Sequence, residues 1–121
     1  MPLILIVDDS PTEVHVMKRA LESHGYRTAA AADGAEGIRL AREMSPDLIF
    51  MDVVMPGMNG YQATRTLVND PRTSTIPIIM VTSKGQETDK IWGLRQGAVD
   101  YMVKPVSPDQ LVAKAQATLT S

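Results

Sequence analysis

The sequence predicts an α/β protein in which helices cover both faces of a five-stranded parallel sheet, a doubly wound architecture with five helices. Two observations predict it. Short apolar runs, which suit strands buried on both faces, alternate along the chain with amphipathic segments of helical length. The 121 residues, 44% of them hydrophobic, suffice for one compact domain and leave no room for a second. We therefore expect a single domain spanning residues 1–121.

Five apolar runs are the predicted strands, at residues 3–8, 26–31, 47–52, 77–82 and 99–104. Right-handed crossovers place such a repeat in a doubly wound sheet, whose ligands bind outside the carboxyl ends of the strands. If the sheet is parallel, these ends all lie at one edge of it. The side chains at these strand ends are therefore the first candidates for a functional site.

Capping residues predict where the helices begin. Ser10-Pro11-Thr12-Glu13 and Ser107-Pro108-Asp109-Gln110 each combine an N-cap serine, a proline at the first helical position and a capping-box Glu or Gln. Asp33 begins a weaker version of the pattern. Gly60 is predicted to precede a third helix that runs to about residue 68, and a fourth helix is predicted over residues 87–97.

Composition excludes several function classes. The chain has 12 Lys and Arg against 14 Asp and Glu, a net charge of -2 and no basic run, so nucleic-acid binding is not expected. It contains no cysteine, which excludes disulfides, thiolate catalysis and a cysteine-based zinc site. No apolar run reaches the ~18 residues of a membrane span. We expect a soluble, cytoplasmic monomer.

Four predicted strands end in polar side chains that could act together. Asp8 and Asp9 end the first, Asp52 the third, Thr82 the fourth and Lys104 the fifth. At ~4 Å and an effective dielectric constant near 20, each pair of ionised carboxylates would repel by about 4 kcal/mol, and one lysine cannot neutralise three of them. Oxygen ligands favour a hard cation, and Mg²⁺ commonly takes one or two carboxylates together with a phosphate oxygen.

With Mg²⁺ bound, Asp52 is the candidate nucleophile toward phosphorus, because it stands alone after its strand. Lys104 would neutralise the incoming phosphoryl group, and the Thr82 hydroxyl would donate a hydrogen bond to one of its oxygens. Taken singly, each of these residues is more often a cap, a turn residue, a β-former or an exposed lysine. Their joint occurrence, in this order at strand ends, favours the functional interpretation.

The motifs VDDS from Val7, LIFMDVVMPGMNG around Asp52, VTSK from Val81 and DYMVKP ending at Pro105 resemble the receiver domain of two-component response regulators. The resemblance covers essentially the whole chain. It implies the flavodoxin-like strand order 2-1-3-4-5, and transfer of a phosphoryl group from a sensor histidine kinase to Asp52. It also implies Mg²⁺ bound by Asp9, Asp52 and the Val54 carbonyl, with Asp8 acting mainly through water, and a cis peptide bond between Lys104 and Pro105.

The resemblance extends to a subgroup and to a switch. We expect no effector domain beyond the receiver motifs, as in single-domain chemotaxis-type regulators that act on a downstream motility or signalling protein. The segment KGQETDKIWGLRQGAVDYMVKPV, with SPTEV after the acid pair, is most similar to regulators of type IV pilus twitching motility. In the family's switch, Thr82 moves toward the phosphoryl group and Tyr101 rotates inward. Ser83 and Val54 depart from the family pattern where it tunes phosphate lifetime.

Trp92 is a separate candidate, on the predicted fourth helix. Ile91, Leu94 and Ala98 are expected to face the core, which leaves Trp92 off this stripe and partly exposed. It is either an anchor for a partner protein or, as we favour, a residue packed against the neighbouring helix.

Four other interpretations remain open. A haloacid-dehalogenase-like phosphatase would also use an aspartyl nucleophile with Mg²⁺, but it expects an acid two residues later, where this chain has Val54. A flavin-binding module would place a phosphate cradle, not Asp8 and Asp9, after the first strand. The others are an unphosphorylated scaffold and a phosphate sink for another regulator. We expect a signalling module and not an enzyme.

Overall fold

The computed structural model describes residues 1–83 and 85–120. Lys84, which closes the VTSK motif, and Ser121 lie outside the described residues. The strands are β1 (Leu3–Val7), β2 (Arg27–Ala31), β3 (Leu48–Met51), β4 (Ile78–Thr82) and β5 (Asp100–Val103). The helices are α1 (Pro11–Glu22), α2 (Gly34–Met44), α3 (Gly60–Asn69), α4 (Glu87–Arg95) and α5 (Pro108–Leu119).

The five strands form one parallel sheet in the order β2-β1-β3-β4-β5, which confirms the predicted fold. The predicted strands extend slightly too far, since Asp8, Asp52 and Lys104 lie directly after β1, β3 and β5. Their backbones nevertheless continue the hydrogen bonding of the sheet. The Asp52 N–H donates to the Val7 carbonyl at 2.9 Å, and the Lys104 N–H donates to the Thr82 carbonyl at 2.8 Å.

Alternate residues of the central strands point to opposite faces, and each face has its own core. Leu5 and Val7 pack with residues of α2 and α3, whereas Ile4 and Ile6 pack with α1 and α5. Every residue of β1, β3 and β4 is buried. Strands buried on both faces explain the nearly continuous apolar runs in the sequence.

The helix starts follow the capping residues with one correction. Ser107 and Gln110 form the predicted capping box of α5. At α1 the Glu13 N–H donates to the Ser10 hydroxyl at 3.3 Å, but the Ser10 N–H donates to Asp8 Oδ1 at 2.9 Å and not to Glu13. The capping-box role predicted for Glu13 is therefore wrong, because Asp8 takes that donor and the Glu13 carboxylate contacts Lys104.

Helix α4 differs from the prediction in its packing. Ile91 and Leu94 are 45% and 46% exposed, so the predicted core stripe is wrong, although Ala98 is buried. The buried residue of α4 is Gly93. A Cβ atom at Gly93 would lie 3.0 Å from Cδ2 of Tyr101, because the Tyr101 ring fills the space under the helix. The helix ends at Arg95, two residues before the predicted end.

None of the helices in the described part of the chain is long and apolar enough to cross a bilayer.

Candidate functional site

The structure brings together the three aspartates that the sequence places at strand ends. Asp8 and Asp9 follow β1, and Asp52 follows β3, its neighbour in the sheet. Carboxylate oxygens of these residues all lie within 4.8 Å of one another. Asp8 and Asp52 are 3% and 6% exposed, while Asp9 faces solvent. We call these three residues the acidic edge.

Backbone groups fix the orientation of the two buried carboxylates. Asp8 Oδ1 accepts a hydrogen bond from the Ser10 N–H at 2.9 Å, and Asp52 Oδ1 accepts one from the Val53 N–H at 2.9 Å. The start of α3 packs directly against this segment, since a Cβ atom at Gly60 would lie 2.0 Å from the Asp52 carbonyl oxygen. Only glycine allows so close an approach. Gly60 therefore positions the loop that carries Asp52.

Lys104 reaches the acidic edge from β5. Its Nζ lies 2.9 Å from Asp8 Oδ2 and 3.6 Å from Asp52 Oδ1, and it also contacts the Glu13 carboxylate. Burial pulls the pKa of Lys104 down, but hydrogen bonds to Glu13 and Asp8 outweigh this effect and raise it above its usual range. Lys104 is therefore a permanent positive charge. The cis peptide bond to Pro105, which the resemblance implies, is present.

The single lysine does not neutralise the acidic edge. Burial, and next the negative charge of Asp8, raise the pKa of Asp52 to about 6, although Lys104 and the Val53 N–H act in the opposite direction. The anionic form of Asp52 is therefore less favourable here than in water, and a further cation would stabilise it. Three converging carboxylates, with neither sulfur nor imidazole among them, are the oxygen donor set that suits Mg²⁺.

The remaining predicted residues lie on β4, on β5 and in the loop after β3. Thr82 is fully buried at the end of β4, level with Val103 of β5. Tyr101 is half-buried on β5 and packs against the core cluster that contains Met80. Val54 lies in the loop after Asp52, with its side chain 55% exposed.

The comparison with known families decides the class of protein. A family model described as the response regulator receiver domain matches residues 4–116, most of the chain. The chain belongs to the response regulator receiver domain family.

Curated relatives of this receiver domain differ in how much of their length it covers. Protein PilH of Pseudomonas aeruginosa is 54% identical over 119 residues, which are 98% of each chain. The DNA-binding response regulator MtrA of Mycolicibacterium smegmatis is 40% identical over 116 residues, 96% of this chain but 50% of that protein. The receiver domain therefore matches PilH along its length and spans about half of MtrA.

Solved structures resemble the receiver domain closely. The chemotaxis protein CheY4 of Vibrio cholerae has a TM-score of 0.93 and 32% identity, over 98% of this chain and 99% of that one. The receiver domain of the sensor histidine kinase PA1611 of Pseudomonas aeruginosa, with a magnesium ion coordinated in its active-site cleft, has a TM-score of 0.92 and 33% identity. That match covers 99% of this chain and 98% of the other.

Membership of the receiver family confirms the predicted class of function, a signalling module of two-component systems, and implies interaction with a histidine kinase and with a downstream signalling target. Receiver domains coordinate Mg²⁺ in an acidic pocket, and the acidic edge is such a cluster.

Sequence reasoning missed two residues of this receiver domain's site region. Glu13 contacts Lys104 across 91 positions of sequence, and no local pattern indicates such a pair. Tyr61, in the first turn of α3, donates from its hydroxyl to the Asp89 carbonyl of α4 at 3.3 Å. Its ring meets Trp92 edge-on, with 6.5 Å between centroids. Trp92 is 47% exposed and packs against the neighbouring helix, so it is partly exposed, as predicted.

Proposed function

We propose that Asp52 of this receiver domain accepts a phosphoryl group from the phosphohistidine of a sensor histidine kinase. The observation that supports the proposal is the acidic edge itself, in which the buried Asp52 carboxylate lies beside Asp8, Asp9 and Lys104. Such a cluster is electrostatically unfavourable until a cation is bound. The bound cation, together with Lys104, would then offset the negative charge of an incoming phosphoryl group.

Asp9, Asp52 and the Val54 carbonyl are the proposed ligands of Mg²⁺, with Asp8 holding it mainly through water. When bound, Mg²⁺ supplies positive charge that offsets the carboxylates and the incoming phosphoryl oxygens. The raised pKa of Asp52 supports this assignment. Burial and the Asp8 charge destabilise the Asp52 anion, and a cation bound at its oxygens would stabilise it.

The transfer needs little more from the protein than position and charge. A carboxylate oxygen of Asp52 forms the new bond to phosphorus as the phosphorus–nitrogen bond to the kinase histidine breaks, and the imidazole keeps the electron pair and takes up a proton. Lys104, already 3.6 Å from Asp52, pairs with the phosphoryl oxygens. The Thr82 hydroxyl donates to one of them, and Tyr101 responds as the switch residue.

The proposed domain is a phosphoacceptor and not an enzyme that turns over an external substrate. Val54, two residues after Asp52, supplies no carboxylate at the position where a haloacid-dehalogenase-like phosphatase has its second acid. A phosphatase would release phosphate in large molar excess over the protein, whereas a phosphoacceptor stops at one phosphoryl group per chain until that group is hydrolysed.

The proposed setting is control of motility in the cytoplasm, with a motility or signalling protein as the downstream partner. Support comes from the resemblance to twitching-motility regulators and from the 54% identity to PilH over nearly all of both chains. The resemblance to CheY4, a chemotaxis protein, agrees with this setting. MtrA is described as a DNA-binding response regulator, but this chain matches only about half of its length. We therefore do not propose DNA binding for this chain.

Intact-mass spectrometry after incubation with a small phosphodonor and Mg²⁺ tests the proposal. We expect one phosphoryl adduct on the unaltered chain, none without Mg²⁺, and none on Asp52→Asn. Asp109→Asn, at an exposed aspartate in the first turn of α5, is the matched control and should behave like the unaltered chain. An adduct that persists in Asp52→Asn, or no adduct on the unaltered chain, would overturn the proposal.

A further inference from the structure

Lys104 donates to two carboxylates other than that of Asp52. Its Nζ donates to Asp8 Oδ2 at 2.9 Å and to the Glu13 carboxylate, whereas Asp52 Oδ1, at 3.6 Å, lies beyond hydrogen-bond distance. A lysine ammonium carries three N–H donors, so these two carboxylates occupy most of its capacity. The lysine that the proposed function assigns to the phosphoryl group is therefore already in use.

Local structure at the start of α1 directs Glu13 to this lysine. Glu13 is the third residue of α1, and its N–H donates to the Ser10 hydroxyl at 3.3 Å. In a capping box the Glu13 carboxylate would accept from the Ser10 N–H, but that N–H donates to Asp8 Oδ1 at 2.9 Å. The Glu13 carboxylate is thus available to Lys104, and the cap of α1 does not depend on it.

Asp8 and Glu13 differ in what it costs them to lose Lys104. The Asp8 side chain is 3% exposed, and a buried carboxylate that loses its counter-charge is strongly destabilised. The Glu13 side chain is 42% exposed, so water can solvate its carboxylate, and the positive end of the α1 dipole still favours a negative charge there. Glu13 is therefore the partner that Lys104 releases more easily.

We propose that Glu13 is a positioning residue that holds Lys104 near Asp52 and competes with the phosphoryl group for its ammonium. The inference rests on the proposed function, in which Lys104 pairs with phosphoryl oxygens. When such an oxygen lies beside Lys104, the ammonium exchanges the Glu13 carboxylate for it, and Glu13 turns to solvent. Lys104 keeps its contact with Asp8, so the exchange moves one exposed side chain and leaves the backbone of α1 in place.

The competition makes a quantitative prediction through linkage. The free energy contributed by the Glu13–Lys104 pair is lost when a phosphoryl group takes the lysine, so the pair weakens the binding of that group. For an ion pair with one exposed partner, the effect on affinity should be about two- to five-fold at low salt and smaller at high salt.

The first test titrates beryllofluoride, a phosphoryl mimic, at saturating Mg²⁺ and follows the bound mimic by fluorine NMR. Glu13→Asp keeps the charge but shortens the side chain by one methylene, which withdraws the carboxylate from Lys104. Glu13→Gln keeps the length and removes the charge. We expect both variants to bind the mimic about two- to five-fold more tightly at low salt. Glu43→Asp is the matched control: Glu43 pairs with Arg39 of α2 at 3.1 Å, and its shortening should leave the affinity unchanged.

The second test observes the exchange directly in the unaltered chain. The carbon resonance of the Glu13 carboxyl group depends on whether that group accepts a hydrogen bond from Lys104. At saturating Mg²⁺, we expect beryllofluoride to shift this resonance and to leave unchanged that of Glu43, in its ion pair with Arg39. A purely structural role for Glu13 would not produce the shift, since its contact with Lys104 would then persist with the mimic bound.

The inference is overturned if Glu13→Asp binds the mimic no more tightly than the unaltered chain. This holds even if Glu13→Gln binds it more tightly, because the charge of Glu13 and not its contact with Lys104 would then be the cause. A Glu13 carboxyl resonance that does not shift on saturation with the mimic would overturn it as well. If the unaltered chain bound no mimic at all, the proposed function itself would fail, which is a different result from unchanged affinity in the Glu13 variants.

Discussion

The acidic edge and helix α4 are held in place by different means. Asp8 and Asp52 follow strands in which every residue is buried. The helices α1 and α5, which cover one face of these strands, each bury three residues, led by Leu21 and Leu111. Helix α4 buries Gly93, a residue without a side chain, and exposes Trp92 by 47%.

The comparison shows how a small domain can combine a rigid chemical site, the acidic edge, with a more mobile surface helix, α4. Each large apolar side chain buried by α1 or α5 contributes about 1.5–3 kcal/mol to its position, whereas single hydrogen bonds and aromatic contacts, such as those that hold α4, contribute about 1 kcal/mol each. Regions held by few buried contacts open or shift at lower free energy. A perturbation at Asp52 is therefore expected to displace α4 before it displaces the site.

The fixed region should be most sensitive at Gly60. Gly60→Ala places a Cβ atom 2.0 Å from the Asp52 carbonyl oxygen, so the backbone itself must move. We expect a loss of about 4 kcal/mol in the free energy of unfolding, measured by urea denaturation, together with loss of phosphoryl adduct. Gly57→Ala in the same loop is the control: no atom lies within 4 Å of its Cβ position, and only its φ of 72° opposes the change. A cost near 1 kcal/mol is expected there. Equal costs at the two glycines would contradict the close approach.

Matched truncations in the two regions test the contrast directly. Leu21→Ala in α1 removes a fully buried side chain and should lower the free energy of unfolding by about 3 kcal/mol. Trp92→Ala in α4 removes a half-exposed side chain and one aromatic contact, and should lower it by about 1 kcal/mol. If thermal or urea unfolding gave similar losses for both, α4 would be as firmly held as α1.

Asp52→Asn should stabilise the folded protein at neutral pH in metal-free buffer. The pKa of Asp52 is raised from 3.8 to about 6 in the fold, so ionising Asp52 disfavours folding above that pH, and the penalty disappears as pH falls through this window. The gain should be about 1 to 3 kcal/mol at pH 8 and vanish below about pH 4. Urea denaturation across this pH range measures it. A gain independent of pH would show that burial of the charge is not its cause.

The smallest expected effect concerns Glu13. Lys104 divides its interactions among Asp8, Glu13 and Asp52, and the Glu13 side chain is 42% exposed. Glu13→Gln should free Lys104 and tighten beryllofluoride binding by about two- to five-fold at low salt, less at high salt, as for an exposed ion pair.

Glu36→Gln is the control for this change. It removes an equal charge from the first turn of α2, where the carboxylate is not among the described contacts of Lys104. Equal tightening in both variants would assign the effect to net charge and not to the Glu13 contact.

The sequence predicts those parts of this structure that depend on local patterns. Strands buried on both faces require nearly continuous apolar runs, so these runs locate the strands. The carboxyl ends are correct to within one residue for the runs that end in Asp8, Asp52, Thr82 and Lys104. Parallel topology then requires these ends to meet. The acidic edge follows from these two steps, and the order of the strands from the family resemblance.

Long-range partners account for the predictions that are wrong. Glu13 has the right spacing for a capping box, but the spacing carries no information about Lys104 at the other end of the chain. The apolar spacing of Ile91 and Leu94 suits a core stripe, but the face of α4 that packs is decided by Tyr101, which leaves space only for Gly93. Tyr61 has no sequence signal, because its partners lie on another helix.

Hydrogen exchange of the unaltered chain, with and without beryllofluoride and Mg²⁺, tests the contrast between the two regions most directly. Exchange measured by peptide mass spectrometry should change in the loop after Asp52, in α4 and in β5, and should stay the same in α1 and β1. A uniform change in exchange along the chain, or a change in α1 with none in α4, would contradict the account in which the site stays fixed and the loosely held helix α4 moves.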